Sequence, residues 1–411
     1  MIKKKNISSN YILWIFITLI IVPINLSYNN FDDFAFDAFQ PKNELTLRYL
    51  FTLPISFFFI FPIIILGVLN LNKDREIFLF YLFILISIIN FYFNKNISYF
   101  ILIIKIFLPI SLMLGFEVYF TKKISFYNKQ NLFQFVKNIN NKIYLVFMIT
   151  FFLSIISPLY LENSYRWLIN EIVIYDYYQY YPLIFIFLLG ILAANKNIIL
   201  FIIVYFLVFF LASQAINNTL FFVLVIFGIY YFFSFFFRKN KKNIVFYSRI
   251  FISFSIFFIF FYQIFIIIYS QTSLLDFANE MSSLRSRFNL ASAFYFNINI
   301  IEFFTPIRLE SSVIASKYYH NEFIVLTSSI GILGAFLFYF IFFKRIWLIS
   351  LYYPEVSVAV SLVTFLSGNV VTVNLHPYTL IISTFLISYY YVLSKLQVRN
   401  QINYKLNSNK K

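Results

Sequence analysis

Residues 244–269 read IVFYSRIFISFSIFFIFFYQIFIIIY, a nearly unbroken apolar run longer than the ~20 residues that cross the hydrocarbon core of a bilayer. Runs of the same kind cover Ile12 to Leu26, Leu50 to Leu71 and Ile77 to Phe93. Across all 411 residues the chain is 61% hydrophobic, 24% aromatic and 12% charged, against roughly 45–50% apolar and ~25% charged in a soluble domain. That balance excludes an ordinary water-soluble protein and predicts an all-α polytopic membrane protein. The absence of cysteine removes disulfides, thiol nucleophiles and thiolate metal sites, and two histidines leave little for a His-rich metal centre, so no metal or other cofactor is expected. The 61 Phe and 33 Tyr accompany abundant Ile, Asn and Lys, all specified by AT-rich codons, so aromatic density carries no functional weight.

Working outward along the chain, the apolar stretches predict about twelve spans, at roughly 11–26, 49–70, 77–93, 97–120, 143–160, 178–194, 198–213, 219–237, 247–269, 323–343, 351–371 and 378–394. An even number puts both termini on one side. With Lys3, Lys4 and Lys5 inside, 23 of the 32 Lys and Arg fall on cytoplasmic segments, among them Lys73, Arg75, Lys122, Lys123, Arg249, Lys344, Arg345 and Lys395. Only 8 fall outside, and Lys105 lies within a span. The net charge of +16 is thus the positive-inside pattern of a membrane protein, and nucleic acid is not an expected partner. The first span shows no small-residue cleavage site and reads as a retained helix. Residues 1–411 are expected to form one membrane domain in the cell inner membrane.

Three outward segments are long: about 27–48, 161–181 and 270–322. The last is the longest, and loops above ~12–15 residues are usually functional or disordered. Leu274, Ala278, Met281, Phe288 and Ser292 recur at helical spacing, which predicts a helix lying along the outer membrane face.

The same segment holds the candidate chemistry. His320 stands where the long loop enters the bilayer; an imidazole with an unperturbed pKa near 6.5 can take a proton from a sugar hydroxyl, while the plainer role is an interfacial helix cap. Arg285 and Arg287 offer forked donors suited to the oxygens of a pyrophosphate. A helical wheel groups Arg285 with the apolar residues and Arg287 with Asp276 and Glu280, so snorkelling and solvated roles are the alternatives. Gly331 and Gly334 read as a close helix-packing contact.

Taken together, Ser286-Arg287, His320-Asn321-Glu322-Phe323 and Gly331-Ile332-Leu333-Gly334 resemble the O-antigen ligase and polymerase family of bacterial envelope enzymes. In that family a Ser-Arg element opens a large periplasmic loop, and a His-Asn followed by a Gly-Ile-x-Gly closes it. The resemblance covers about residues 283–340, and twelve spans with both ends cytoplasmic fit it. It implies a glycosyltransferase that polymerises undecaprenyl-diphosphate-linked repeat units, with His320 as base, Arg285 or Arg287 on the diphosphate, and Asn321 or Glu322 orienting the base or the acceptor. It also implies partners: the lipid-linked oligosaccharide, membrane lipids, a chain-length regulator and a flippase. Ligation to a lipid A core uses the same chemistry.

The chain departs from the family pattern at several points. Ala291 stands near the usual Trp, Phe304-Thr305-Pro306-Ile307 replaces a mid-loop Gly-x-Gly, and Ser213-Gln214 occupies the place of a second Ser-Arg. Gln214 cannot supply a charge. Lys105, midway along the fourth span, is the candidate replacement: a central Lys costs about 2.5–3.5 kcal/mol to insert, which flanking Ile, Leu and Phe offset. Its alternative is a snorkelling or internally bonded Lys.

Two rival readings stand beside this one. Asp32-Asp33 resembles the acidic element of polyprenyl-phosphate-sugar glycosyltransferases, which can hold a metal, though acidic clusters are also common in solvated loops. A transporter or lipid-linked-oligosaccharide flippase would carry polar groups at mid-membrane depth. His376-Pro377 reads as a turn.

Overall fold

A computed structural model describes residues 60–71, 74–94, 97–125, 134–145, 148, 168–169, 172–173, 183–214, 218–237, 240–271, 294–295, 304, 321–367 and 377–408. Helices dominate these residues: α1 (60–68), α2 (Arg75–Asn94), α3 (Ile97–Ser125), α4 (134–145), α5 (Ile184–Ala194), α6 (Ile198–Gln214), α7 (Asn218–Phe236), α8 (Lys241–Gln271), α9 (Glu322–Ile349), α10 (Pro354–Ser361) and α11 (Pro377–Ser408). Leu362–Leu366 continues α10 as one π-helical turn. The exception is a two-residue antiparallel ladder in which Leu168 faces Val173 and Ile169 faces Ile172.

Four of the described helical stretches are long and apolar enough to cross a membrane: Thr219–Phe236, Lys241–Ile266, Glu322–Ile349 and Leu380–Arg399. The chemistry behind this is local. Without water, each backbone N–H and C=O must find its partner within the segment, which an α-helix alone provides to a single span. Phe206, Phe210, Phe232, Phe236, Phe257 and Phe261 are exposed on α6, α7 and α8, as side chains facing lipid tails would be.

Inside the bundle α3 runs along α11, α5 and α8 pack on α10, and α9 packs on α2 and α11. Small residues set the closest approaches. A Cβ at Gly67 would run into the Ser111 carbonyl oxygen and one at Gly115 into that of Ile63, so α1 and α3 touch backbone to backbone. Ser388 Oγ donates across to the Met113 carbonyl at 2.7 Å, and Phe120 packs its ring against Phe385 and Tyr389.

The structure adds to the sequence expectation in three places. Residues 134–142, expected as part of a cytoplasmic connection, belong to α4, which buries Phe135, Ile139 and Ile143 and presents the Asn140 side chain to Tyr389 OH at 3.0 Å. Lys344 and Arg345, expected beyond the tenth span, lie inside α9, because that helix continues to Ile349. Thirdly, the stretch expected as a tenth span is not a straight helix: Gly331 has φ 71° and ψ 165°, a conformation essentially confined to glycine, and it breaks α9 into an arm over 322–330 and an arm over 332–349.

Candidate functional site

The break at Gly331 is a fold-back. In an unbroken helix positions 322 and 339 would stand about 25 Å apart, yet Tyr339 OH donates to Glu322 Oε1 at 3.3 Å. Phe323 stacks on Tyr339 with ring centroids 6.4 Å apart, and Phe260 of α8 touches both Phe323 and Phe336. The short arm therefore doubles back along the long one, which at 18 residues still spans about 27 Å. Gly331 was expected as a packing glycine; it is instead the corner, and a Cβ at Gly334 would press on Ile330 of the returning arm.

A break leaves carbonyl oxygens without helical partners. Ser87 of α2 meets one of them, its Oγ donating to the Ser329 carbonyl at 2.9 Å. α2 also pairs with α9 through Phe80 and Phe338, and through Glu76 and Lys344 at 2.7 Å, so Ser87 stands about 16 Å up the helix from Glu76.

At the start of the short arm lies a polar cluster. Asn321 caps the helix, its Oδ1 accepting from the Ile324 amide at 3.3 Å. The same amide group pairs reciprocally with Gln263 of α8, through bonds of 3.2 and 3.1 Å. Tyr295, from the long segment between α8 and α9, donates its hydroxyl to Gln263 Oε1 at 2.9 Å. Burial pushes the Tyr295 phenol above its ordinary range, so it remains a donor at neutral pH. Glu322 is fully buried, as are Thr327, Ser328 and Ser329 on the same arm. Ser328 and Ser329 both bond the Val325 carbonyl, whereas Thr327 Oγ1 has no hydrogen-bond partner.

A second charged centre sits farther along the long arm of α9. Arg345 is 1% exposed and reaches Glu117 of α3 through Nε and Asp74, just before α2, through Nη2 at 2.9 Å. Its guanidinium also lies over the Tyr391 ring of α11, 5.4 Å from the centroid. Burial works against the Asp74 charge, but side-chain hydrogen bonding with Glu76 and the charge of the Arg345 guanidinium outweigh it and hold the carboxyl below its usual range. Nearby, Arg249 of α8 stacks over Trp347 at 4.6 Å. This network joins helix ends that the positive-inside count assigned to one side of the membrane.

Of the residues singled out from sequence, Asn321 and Glu322 are described and stand together at the start of the short arm. Lys105 lies within α3 and Gln214 is the last residue of α6, with their side chains outside the described residues. Tyr81 OH pairs with Ser111 Oγ at 2.6 Å, and this antiparallel register of α2 and α3 puts position 105 level with Ser87 and the break. Arg285, Arg287, His320, Asp32, Asp33 and His376 lie outside the described residues, as does the helix expected around 274–292. Among the described residues no group of three or more His, Asp or Glu side chains forms a metal-binding arrangement.

Sequence reasoning missed Gln263, Tyr295 and Tyr339. Gln263 had a signal: an amide deep in an apolar run must find a hydrogen-bond partner or cost several kcal/mol, roughly 2–7. Tyr295 and Tyr339 had none in a chain with 33 Tyr.

These helices define a helical membrane protein with a folded-back helix and a buried polar cluster at its base. No family model, characterised protein or solved structure matches the chain.

Proposed function

We propose that the chain is an inner-membrane glycosyltransferase of about twelve spans that polymerises undecaprenyl-diphosphate-linked O-antigen or exopolysaccharide repeat units. The observation that carries the proposal is the order Ser286-Arg287, His320-Asn321, Gly331-x-x-Gly334, together with the buried cluster of Asn321, Glu322 and Gln263 at the start of the short arm of α9. In this reading the hydroxyl oxygen of the acceptor sugar attacks the anomeric carbon of the donor. The bond from that carbon to the diphosphate breaks, and the diphosphate leaves with the electron pair. His320 takes the hydroxyl proton as general base. Arg285 or Arg287 stabilises charge on the departing diphosphate, the largest electrostatic demand of the step. Lys105, level with the break, is the candidate for the cation that Gln214 cannot provide. A lipid A core as acceptor would make the same chemistry a ligation.

Turnover by the purified protein in liposomes containing undecaprenyl-diphosphate-linked repeat units tests this. Longer glycans are expected to form in EDTA at the same rate as without it. Loss of turnover in EDTA, restored by Mg or Mn ions, would move the assignment to the acidic-loop enzyme built on Asp32-Asp33. The topology has its own test in this cysteine-free chain: a cysteine replacing Ser311 or Asn299 should react with an impermeant maleimide from the periplasmic side. Labelling only after the inner membrane is broken would overturn the outward placement of residues 270–322.

A second reading has a specific observation behind it. A broken helix with a buried carboxylate on one of its arms is the kind of element that transporters use for substrate sites. A lipid-linked-oligosaccharide flippase is therefore the alternative, and it predicts translocation of the lipid-linked unit across the liposome bilayer with no growth of the glycan.

A further inference from the structure

We infer that Gln263 is a positioning residue that fixes Asn321, the residue assigned above to orient the base or the acceptor, an inference that rests on the transferase reading above. Gln263 is 5% exposed and lies in the most apolar part of α8, where Phe257, Phe261 and Ile264 face outward. Burying an amide there is costly unless its donor and acceptor are both used. They are: Nε2 donates to Asn321, and Oε1 accepts from Asn321 and from Tyr295.

The three residues come from the helix before the long outward segment, from within that segment, and from its end. Gln263 thus gathers all three at one point, about 12 Å short of the α8 end at Gln271. Asn321 cannot rotate freely, because its Oδ1 also caps the short arm at the Ile324 amide. A side chain held by two partners of fixed position transmits that position to its own backbone, and the next residue toward the N-terminus is His320. Gln263 touches no reacting atom in this scheme; it acts through Asn321.

The test measures kinetics and a local chemical probe on the full-length protein in liposomes. Gln263→Leu keeps the apolar volume and removes the bonds to Asn321 and Tyr295. It should lower kcat about 10²-fold, the size of effect that a 1 Å misplacement of a catalytic group produces, while leaving KM for the lipid-linked donor nearly unchanged. Gln263→Glu keeps an acceptor for Tyr295 and Asn321 and should recover part of that loss. Asn321→Ala combined with Gln263→Leu should cost little more than either alone, because the two act as one unit. Wild-type kcat in Gln263→Leu, or additive losses in the double variant, would overturn the inference.

A second measurement does not depend on turnover. The maleimide reaction rate of His320→Cys should change several-fold when Gln263→Leu is added, and an unchanged rate would refute positioning. Absence of glycan transfer by the wild-type chain would refute the transferase reading, with the labelling rate still deciding what Gln263 does.

Discussion

Arg345→Met is expected to destabilise the protein by about 3–5 kcal/mol, the cost of removing one partner of a buried ion pair. The Arg345 side chain is enclosed and faces two carboxylates, Glu117 and Asp74, from two different chain segments. Removing it leaves both acids partly buried with no cation of equal reach, since Lys344 is engaged with Glu76. Met fills most of the volume, so the loss is electrostatic and not a cavity. Thermal unfolding in detergent, followed by the retained monodisperse fraction, should show a clear fall in Tm. The triple variant Arg345→Met, Glu117→Gln, Asp74→Asn should regain most of it, because replacing a whole buried charge set by neutral groups is often nearly neutral. A single variant that melts like the parent would show that the network is not needed to hold α2, α3 and α9 together.

His320→Ala is expected to abolish glycan transfer, with inserted and folded protein at normal abundance. Removal of a general base typically costs about 10²–10⁴ in rate, far more than loss of an interfacial cap. His320→Gln keeps hydrogen bonding but does not usefully accept a proton, so it should be nearly as inactive as Ala. His376→Ala should be mild, since that histidine precedes Pro377, the first residue of α11. Polymer length analysis of all three variants provides the measurement. Near-normal polymer from the Gln variant would reduce His320 to a structural residue.

The candidate site was only half legible in the sequence. Asn321 and Glu322 drew notice through the motif around them, and both prove buried and bonded at the start of a helix. Gln263 and Tyr295 did not, because nothing local relates them to Asn321: Gln263 and Asn321 are 58 residues apart in the chain. Arg345 was counted with the loop charges, since adjacent Lys344 and Arg345 look equivalent in a linear string. One turns toward the protein's edge and the other into its interior, a difference set by the rotation of α9 against α2 and α3.

Sequence alone determined that this is a membrane protein and where several of its helices run. The stretches 77–93, 198–213 and 219–237 correspond to α2, α6 and α7 within a few residues. The physical reason is that helix formation in lipid is a local obligation: an apolar segment must satisfy its own backbone, and composition reveals it. The fold-back at Gly331 was decided by tertiary structure. The run from Phe323 to Phe343 is apolar on every face, so its periodicity does not distinguish one straight span from two packed arms. What separates them are the Ser87 hydroxyl at the Ser329 carbonyl, the Tyr339 hydroxyl at Glu322 and the rings of Phe260, Phe323 and Phe336, contacts between segments that only the assembled bundle brings together.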